Sequence, residues 1–126
     1  MSKSYITTIK EFMSNGYKCV ITRVSYDPLF IRNLDYYDIS GRSWWYCGYV
    51  YIPKGDKYYN AVIEDMEYVN NFIHGNITLL EKDDDYNVIG FDCNHMGNDD
   101  NINSLDFIEP HLIAVTNILR YGNEDN

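Results

Sequence analysis

The stretch from Trp44 to Ile52, WWYCGYVYI, constrains this chain more than any other part of it. It is apolar on both of its alternating faces and rich in aromatic and β-branched residues, and Pro53-Lys54-Gly55-Asp56 stops it. A strand of that composition has to be covered on both sides, which predicts a central position in a sheet. The chain has 126 residues, a length that suits one domain over 1–126 and leaves no room for a second core.

The other segments supply partners for that strand. Ser4 to Asn15 carries Ile6, Ile9 and Met13 at helical spacing, with Phe12 beside them and Gly16 where a C-terminal cap would sit, so a helix is expected there. Cys19 to Ser25 is rich in β-branched residues and reads as a strand ending before Asp27-Pro28. Leu29 to Arg42 reads as a connecting segment, and Tyr58 to Tyr68 as room for a short helix. Ser104 is placed as an N-cap ahead of Leu105, Ile108, Leu112, Val115 and Leu119, with Pro110 as an interruption and Gly122 as the end. The expected fold class is therefore α+β: an antiparallel or mixed sheet of about four strands with N- and C-terminal helices packed on one side.

Between these lie Ile73–Glu81 and Tyr86–Cys93, separated by Asp83-Asp84-Asp85, the pattern of a hairpin. A three-residue loop pairing Lys82 with Tyr86 would set Leu79 against Ile89, Ile77 against Phe91 and Asn76 against Asp92. It puts the apolar odd positions on one face and gathers His74, Thr78 and Asp92 on the other. In this register Cys93 belongs to the core face with Phe91 and Ile89.

Charge narrows the classes of partner. The net charge is −9, and residues 83–126 hold ten acids against Arg120 as their only base, while residues 1–82 balance. So acidic a final third disfavours direct binding to nucleic acid or to a membrane surface, and favours a basic partner or a purely solvating role. The chain holds 13 Tyr against 5 Phe and 2 Trp, a composition that gives half-buried aromatic surfaces suited to contact. Cys19, Cys47 and Cys93 are odd in number and sit in apolar, strand-like runs. Met1 to Tyr17 has no apolar segment of the length a signal peptide needs, and no run approaches a membrane span. Reduced thiols and a cytoplasmic location are the expectation.

The residues capable of chemistry lie in three motifs: Trp45-Tyr46-Cys47-Gly48-Tyr49-Val50, His74-Gly75-Asn76-Ile77-Thr78, and Gly90-Phe91-Asp92-Cys93-Asn94-His95-Met96-Gly97-Asn98. Several chemistries can be weighed against them. Zinc would take His74, Asp92, Cys93 or His95, but Cys93-x-His95 is too tight for a chelating pair and no second close pair exists, so no metal is assigned. A two-histidine phosphoesterase needs paired H-x-T/S strands, which are absent. Cys93 with His95 as its base is an alternative set against the core placement of Cys93, where a thiol acts as a small hydrophobe. His111, on the final helix, reads as an ordinary structural ring.

In this order the motifs resemble a family of small bacterial and phage proteins with the pattern W-Y-C-G-Y-V, then H-G-G-L-T, then G-F-D-C-x-H-x-G-D. The resemblance covers about the middle half of the chain and departs from the pattern at Asn76, Ile77 and Asn98. It implies a shared fold and a phage or mobile-element origin, in which case the location is the host cytoplasm; it carries no activity with it. The resulting expectation is non-enzymatic recognition of a small polar, nucleotide-like ligand, in a role against host defence signalling. The ligand-binding residues would be Trp45, Cys47, Tyr49, His74, Asn76, Thr78, Asp92 and His95, with no cofactor. Two alternatives stay open: an acidic mimic blocking a basic, nucleic-acid-binding host defence protein, and a small hydrolase or transferase using His74 and His95. Self-association also stays open.

Overall fold

The computed structural model describes residues 4–26, 44–93 and 104–122. Five strands form one antiparallel sheet: β1 (Ser4–Ser14), β2 (Tyr17–Tyr26), β3 (Trp44–Pro53), β4 (Leu79–Lys82) and β5 (Tyr86–Asp92), in the order β1-β2-β3-β5-β4. A 3-10 turn (Ile63–Met66) leads into the short helix α1 (Glu67–Phe72), and a long helix α2 (Leu105–Tyr121) closes the described chain. The α+β class is as the sequence predicts, and β3 is indeed central, flanked by β2 and β5. The C-terminal helix begins at Ser104, whose Oγ accepts from the Phe107 N–H at 3.2 Å, and it runs unbroken through Pro110.

The N-terminal segment overturns its expectation, because Ser4–Ser14 is a strand and not a helix. The deciding residues are Asn15 and Gly16, both at positive φ (52° and 88°), which join Ser14 directly to Tyr17 in a two-residue hairpin. An Asn-Gly pair is the preferred sequence for that turn, and the twist it imposes brings the flanking residues together as antiparallel strands. Gly16 is thus a turn residue where a helix cap was expected. The apparent helical spacing of Ile6 and Ile9 is interrupted by a β-bulge between Thr8 and Lys10. Among the described residues the sheet accordingly has five strands instead of about four.

The hairpin register is also corrected. Lys82 pairs with Asn87, Glu81 with Val88, Leu80 with Ile89 and Leu79 with Gly90, one residue away from the expected pairing. Asp83 explains the slip. Its carboxylate accepts from the backbone N–H groups of Asp85 and Tyr86, both at 2.7 Å, and its own N–H donates to the Tyr86 carbonyl. That Asx-type closure lengthens the turn by one residue, and one residue exchanges the faces of a strand. Leu80, not Leu79, points to the core. Ile77 lies before β4 and packs on the core from a loop, so neither Ile77–Phe91 nor Asn76–Asp92 is a ladder pair.

The core lies between the sheet and the helices. Tyr17, Cys19 and Ile21 from β2, Val50 and Ile52 from β3, and Ile89 and Phe91 from β5 meet Ile108, Leu112, Val115 and Leu119 of α2, with Met66 and Val69 beside them. Two glycines let the central strands close up. Gly48 is opposite Phe91, and a Cβ on it would come within 2.9 Å of the Phe91 ring and 3.2 Å of Leu112. Its neighbour Tyr49 is opposite Gly90 and lies over it on the other face. Each aromatic ring thus covers the strand glycine across from it, one on each side of the sheet. The hairpin turn is held to α2 as well: Thr116 Oγ1 is 2.8 Å from Ser14 Oγ and accepts from Asn15 Nδ2, while Arg120 Nε donates to the Asn15 carbonyl.

Candidate functional site

The pleat sorts the expected site residues onto two different surfaces. Cys47 is opposite Asp92 on β5 and Thr22 on β2, Tyr49 is opposite Gly90 and Val20, and Trp45 is opposite Val24. By alternation Trp45, Cys47, Tyr49 and Asp92 share the face turned away from the helices. The structure brings these four together on adjacent strands.

It does not bring His74, Asn76 and Thr78 to them, which corrects the single polar face expected from sequence. His74 follows α1 on the helix side, where its backbone N–H donates to His111 Nε2 at 3.0 Å and its ring meets the edge of Phe107. Asn76, at φ 68°, donates from Nδ2 to the Asn70 carbonyl, and the Asn70 side chain accepts from the Ile77 N–H. Thr78 donates its N–H to the Gly90 carbonyl at 2.8 Å. These three residues fix the loop that delivers β4, which is a structural task. His95 lies outside the described residues.

His111 has a more specific role than an ordinary helix ring. It is stacked between Phe72 and Phe107, with Phe91 edge-on, and burial together with the nearby His74 holds its pKa down at about 4. Because Nε2 accepts a hydrogen bond, the neutral ring carries its proton on Nδ1.

On the helix-free face lies a groove of about 400 Å³. Val20, Thr22, Tyr49, Tyr51, Leu79 and Val88 are its buried and half-buried floor, and Ile6, Thr8, Glu11, Glu81 and Asp83 are its exposed rim. Sequence reasoning missed Thr22, Glu11 and Glu81, while Tyr51 belongs to the aromatic strand it singled out. The signals were present in the Asn15-Gly16 turn, which places β1 and β2 beside β3, and in the alternation of Val20, Thr22 and Val24. Thr22 is 6% exposed, and its hydroxyl sits in a small polar cluster with the Cys47 thiol and the Tyr49 hydroxyl.

The titratable groups here are held in their protonated forms. Burial, then the charge of Asp92, pushes the Cys47 thiol up to about 11, and burial pushes the Tyr49 hydroxyl up to about 12. At neutral pH both are protonated and available as donors. Cys19, Cys47 and Cys93 are buried thiols in no disulfide, and Cys93 is in the core as expected. Among the described residues no group of three His, Cys, Asp or Glu side chains is arranged to hold a metal ion. No described helix is long and apolar enough to cross a membrane. Comparison with family models, with curated proteins and with solved structures finds no match.

Proposed function

We propose that this protein is a recognition module which holds a small polar ligand in the groove on the helix-free face and does not turn it over. The groove of about 400 Å³ carries the reading: it joins half-buried tyrosines, an apolar floor and an exposed polar rim on one surface. Tyr49 and Tyr51 offer ring surfaces on either side of Val50 for a planar group, and apolar Val20 and Val88 complete the floor. The base of a nucleoside suits such a surface; its phosphates would be opposed by Glu11, Glu81 and Asp83.

Amide chemical-shift mapping with adenosine and AMP tests this reading. Adenosine should shift the amides of Thr22, Tyr49 and Tyr51, AMP should do so less, and both should be recovered chemically unchanged. Tyr51→Ala, which removes a ring from the groove, should weaken the adenosine response. Shifts confined to other surfaces, or conversion of either compound, would replace the reading with another.

A second reading is favoured by the turn Asp83-Asp84-Asp85, exposed at all three positions. In it the acidic surface holds a basic protein in place of nucleic acid, in keeping with the phage resemblance. That binding should weaken steeply with salt, since exposed charges are screened over ~10 Å at 0.1 M. Neutralising Asp84 and Asp85, which lie outside the groove lining, should weaken it strongly, while small-ligand binding in the groove should persist.

A further inference from the structure

We infer that β1 is an interface for a second copy of this chain, the two copies joining edge to edge in one continuous sheet about a two-fold axis. Among the described residues β1 pairs with β2 alone, so its outer edge offers a row of N–H and C=O groups to another strand. The strand is 11 residues long, and every residue from Tyr5 to Glu11 is exposed. Ile6 and Met13 are 69% and 67% exposed, and Tyr5 and Ile9 are exposed beside them. Edge strands are ordinarily kept short, charged or covered. The charges on this one are Lys10, tied to Glu109 at 2.9 Å, and Glu11.

The bulge selects the partner. Between Thr8 and Lys10 the strand gains one residue against β2, so Ile6, Thr8, Glu11 and Met13 all lie on the helix-free face although their numbering changes parity. A regular strand laid along this edge falls out of register at the bulge, which is how a bulge protects an edge. A second copy running antiparallel carries the same bulge. With the axis between Ile9 and Lys10, bulge lies against bulge and the strands match on both sides of it. Ile6 then stands opposite Met13 of the second copy, Thr8 opposite Glu11, Thr7 opposite Phe12 and Tyr5 opposite Ser14. Each pair joins residues of one face, as an axis perpendicular to the sheet requires. The two most exposed hydrophobic side chains of the strand thereby cover each other, twice in the dimer.

Charge favours this edge over the opposite one. The exposed turn Asp83-Asp84-Asp85 joins β4 to β5, on the far side of the sheet from β1. Pairing through β4 would bring the two acidic turns together. Pairing through β1 sets the outer β4 strands nine spacings of ~4.8 Å apart, ~40 Å in all, far beyond the ~10 Å over which exposed charges act at 0.1 M salt.

Sedimentation equilibrium of the full chain tests this, with Ile6→Lys, Met13→Glu and the double variant beside it. The wild type should show a monomer–dimer equilibrium. Each single variant should dissociate roughly tenfold more readily, because each change disrupts two symmetry-related pairs. The double variant should recover most of the lost affinity, because its new charges are opposite in sign and face each other across the axis. Both positions are exposed, so far-UV circular dichroism should be unchanged in all three. Hydrogen exchange of the wild type needs no variant, and decides the matter should one fail to fold: β1 amides should be protected in concentrated solution and exchange faster on dilution. A monomer at every concentration up to the millimolar range, or assemblies larger than a dimer, overturns the proposal. So does a dimer that the single variants leave unweakened or the double variant fails to restore, or β1 exchange indifferent to dilution. The groove titrations with adenosine are read separately and stand or fall by themselves.

Discussion

Protonating His111 should loosen the packing of α2 on the sheet, and the size of the effect can be worked from its surroundings. Folding lowers its pKa from 6.5 to about 4, chiefly by burial and secondarily through His74. A His depressed in the folded state binds its proton more readily when unfolded. The stability this represents is therefore complete above pH 6.5 and is lost as pH falls from there towards 4. At about 1.36 kcal/mol per pKa unit the full span is roughly 3 kcal/mol, which we reduce to ~2 kcal/mol because the ring is only partly buried. The proton would enter at Nε2, where the ring accepts from the His74 N–H, so charging the ring also removes that hydrogen bond. The assay is urea denaturation by tryptophan fluorescence from neutral pH down to pH 4, on the wild type and on His111→Leu. The variant should be the less stable at neutral pH, having orphaned the His74 N–H, but should lose ~2 kcal/mol less than the wild type on acidification. Parallel pH profiles for the two proteins would refute the reasoning.

Gly90→Ala puts a Cβ 2.6 Å from Tyr49 Cδ1 and 3.3 Å from the Gly48 carbonyl, so Tyr49 has to tip away; we expect ~1–3 kcal/mol lost in denaturation and an altered adenosine response. Gly48→Ala meets Phe91 and Leu112 on the other face, and should cost a similar ~1–3 kcal/mol with the adenosine response retained. Asn87 is buried, and its Nδ2 donates to the carbonyls of Tyr58 and Ala61; the Tyr58 carbonyl keeps the Ala61 N–H, so Asn87→Leu strands the Ala61 carbonyl and should lower the melting temperature, with a cost of roughly 1–3 kcal/mol. Burial raises the pKa of both Cys19 and Cys47, so all three cysteines should react with a thiol reagent in denaturant but slowly in the native protein; labelling of native Cys47 at the rate of a free thiol at neutral pH would contradict its placement.

What the sequence determined by itself is local or strictly periodic. The central strand was legible because no other packing covers an apolar run on both faces, and the C-terminal helix because Ser104, its spaced apolar residues and Gly122 agree with one another. Cys93 was placed in the core by the same alternation. The N-terminal strand was also written in the sequence, in Asn15-Gly16, but that signal competed with a spacing that a bulge at Ile9 made look helical. Tertiary structure alone decided the rest. The β4–β5 register turned on how many backbone N–H groups the Asp83 carboxylate would collect, and one residue of slip was enough to exchange Leu79 and Leu80 between core and groove. The candidate site depended on it too. Trp45, Cys47, Tyr49 and Asp92 share a face because β3 and β5 are neighbours, whereas His74 was drawn to the helix side by the aromatic cage around His111. The groove itself is built from Glu11, Thr22, Tyr51 and Glu81, on four different strands. No local pattern joins such residues, because only the order in which strands pair brings them to one surface.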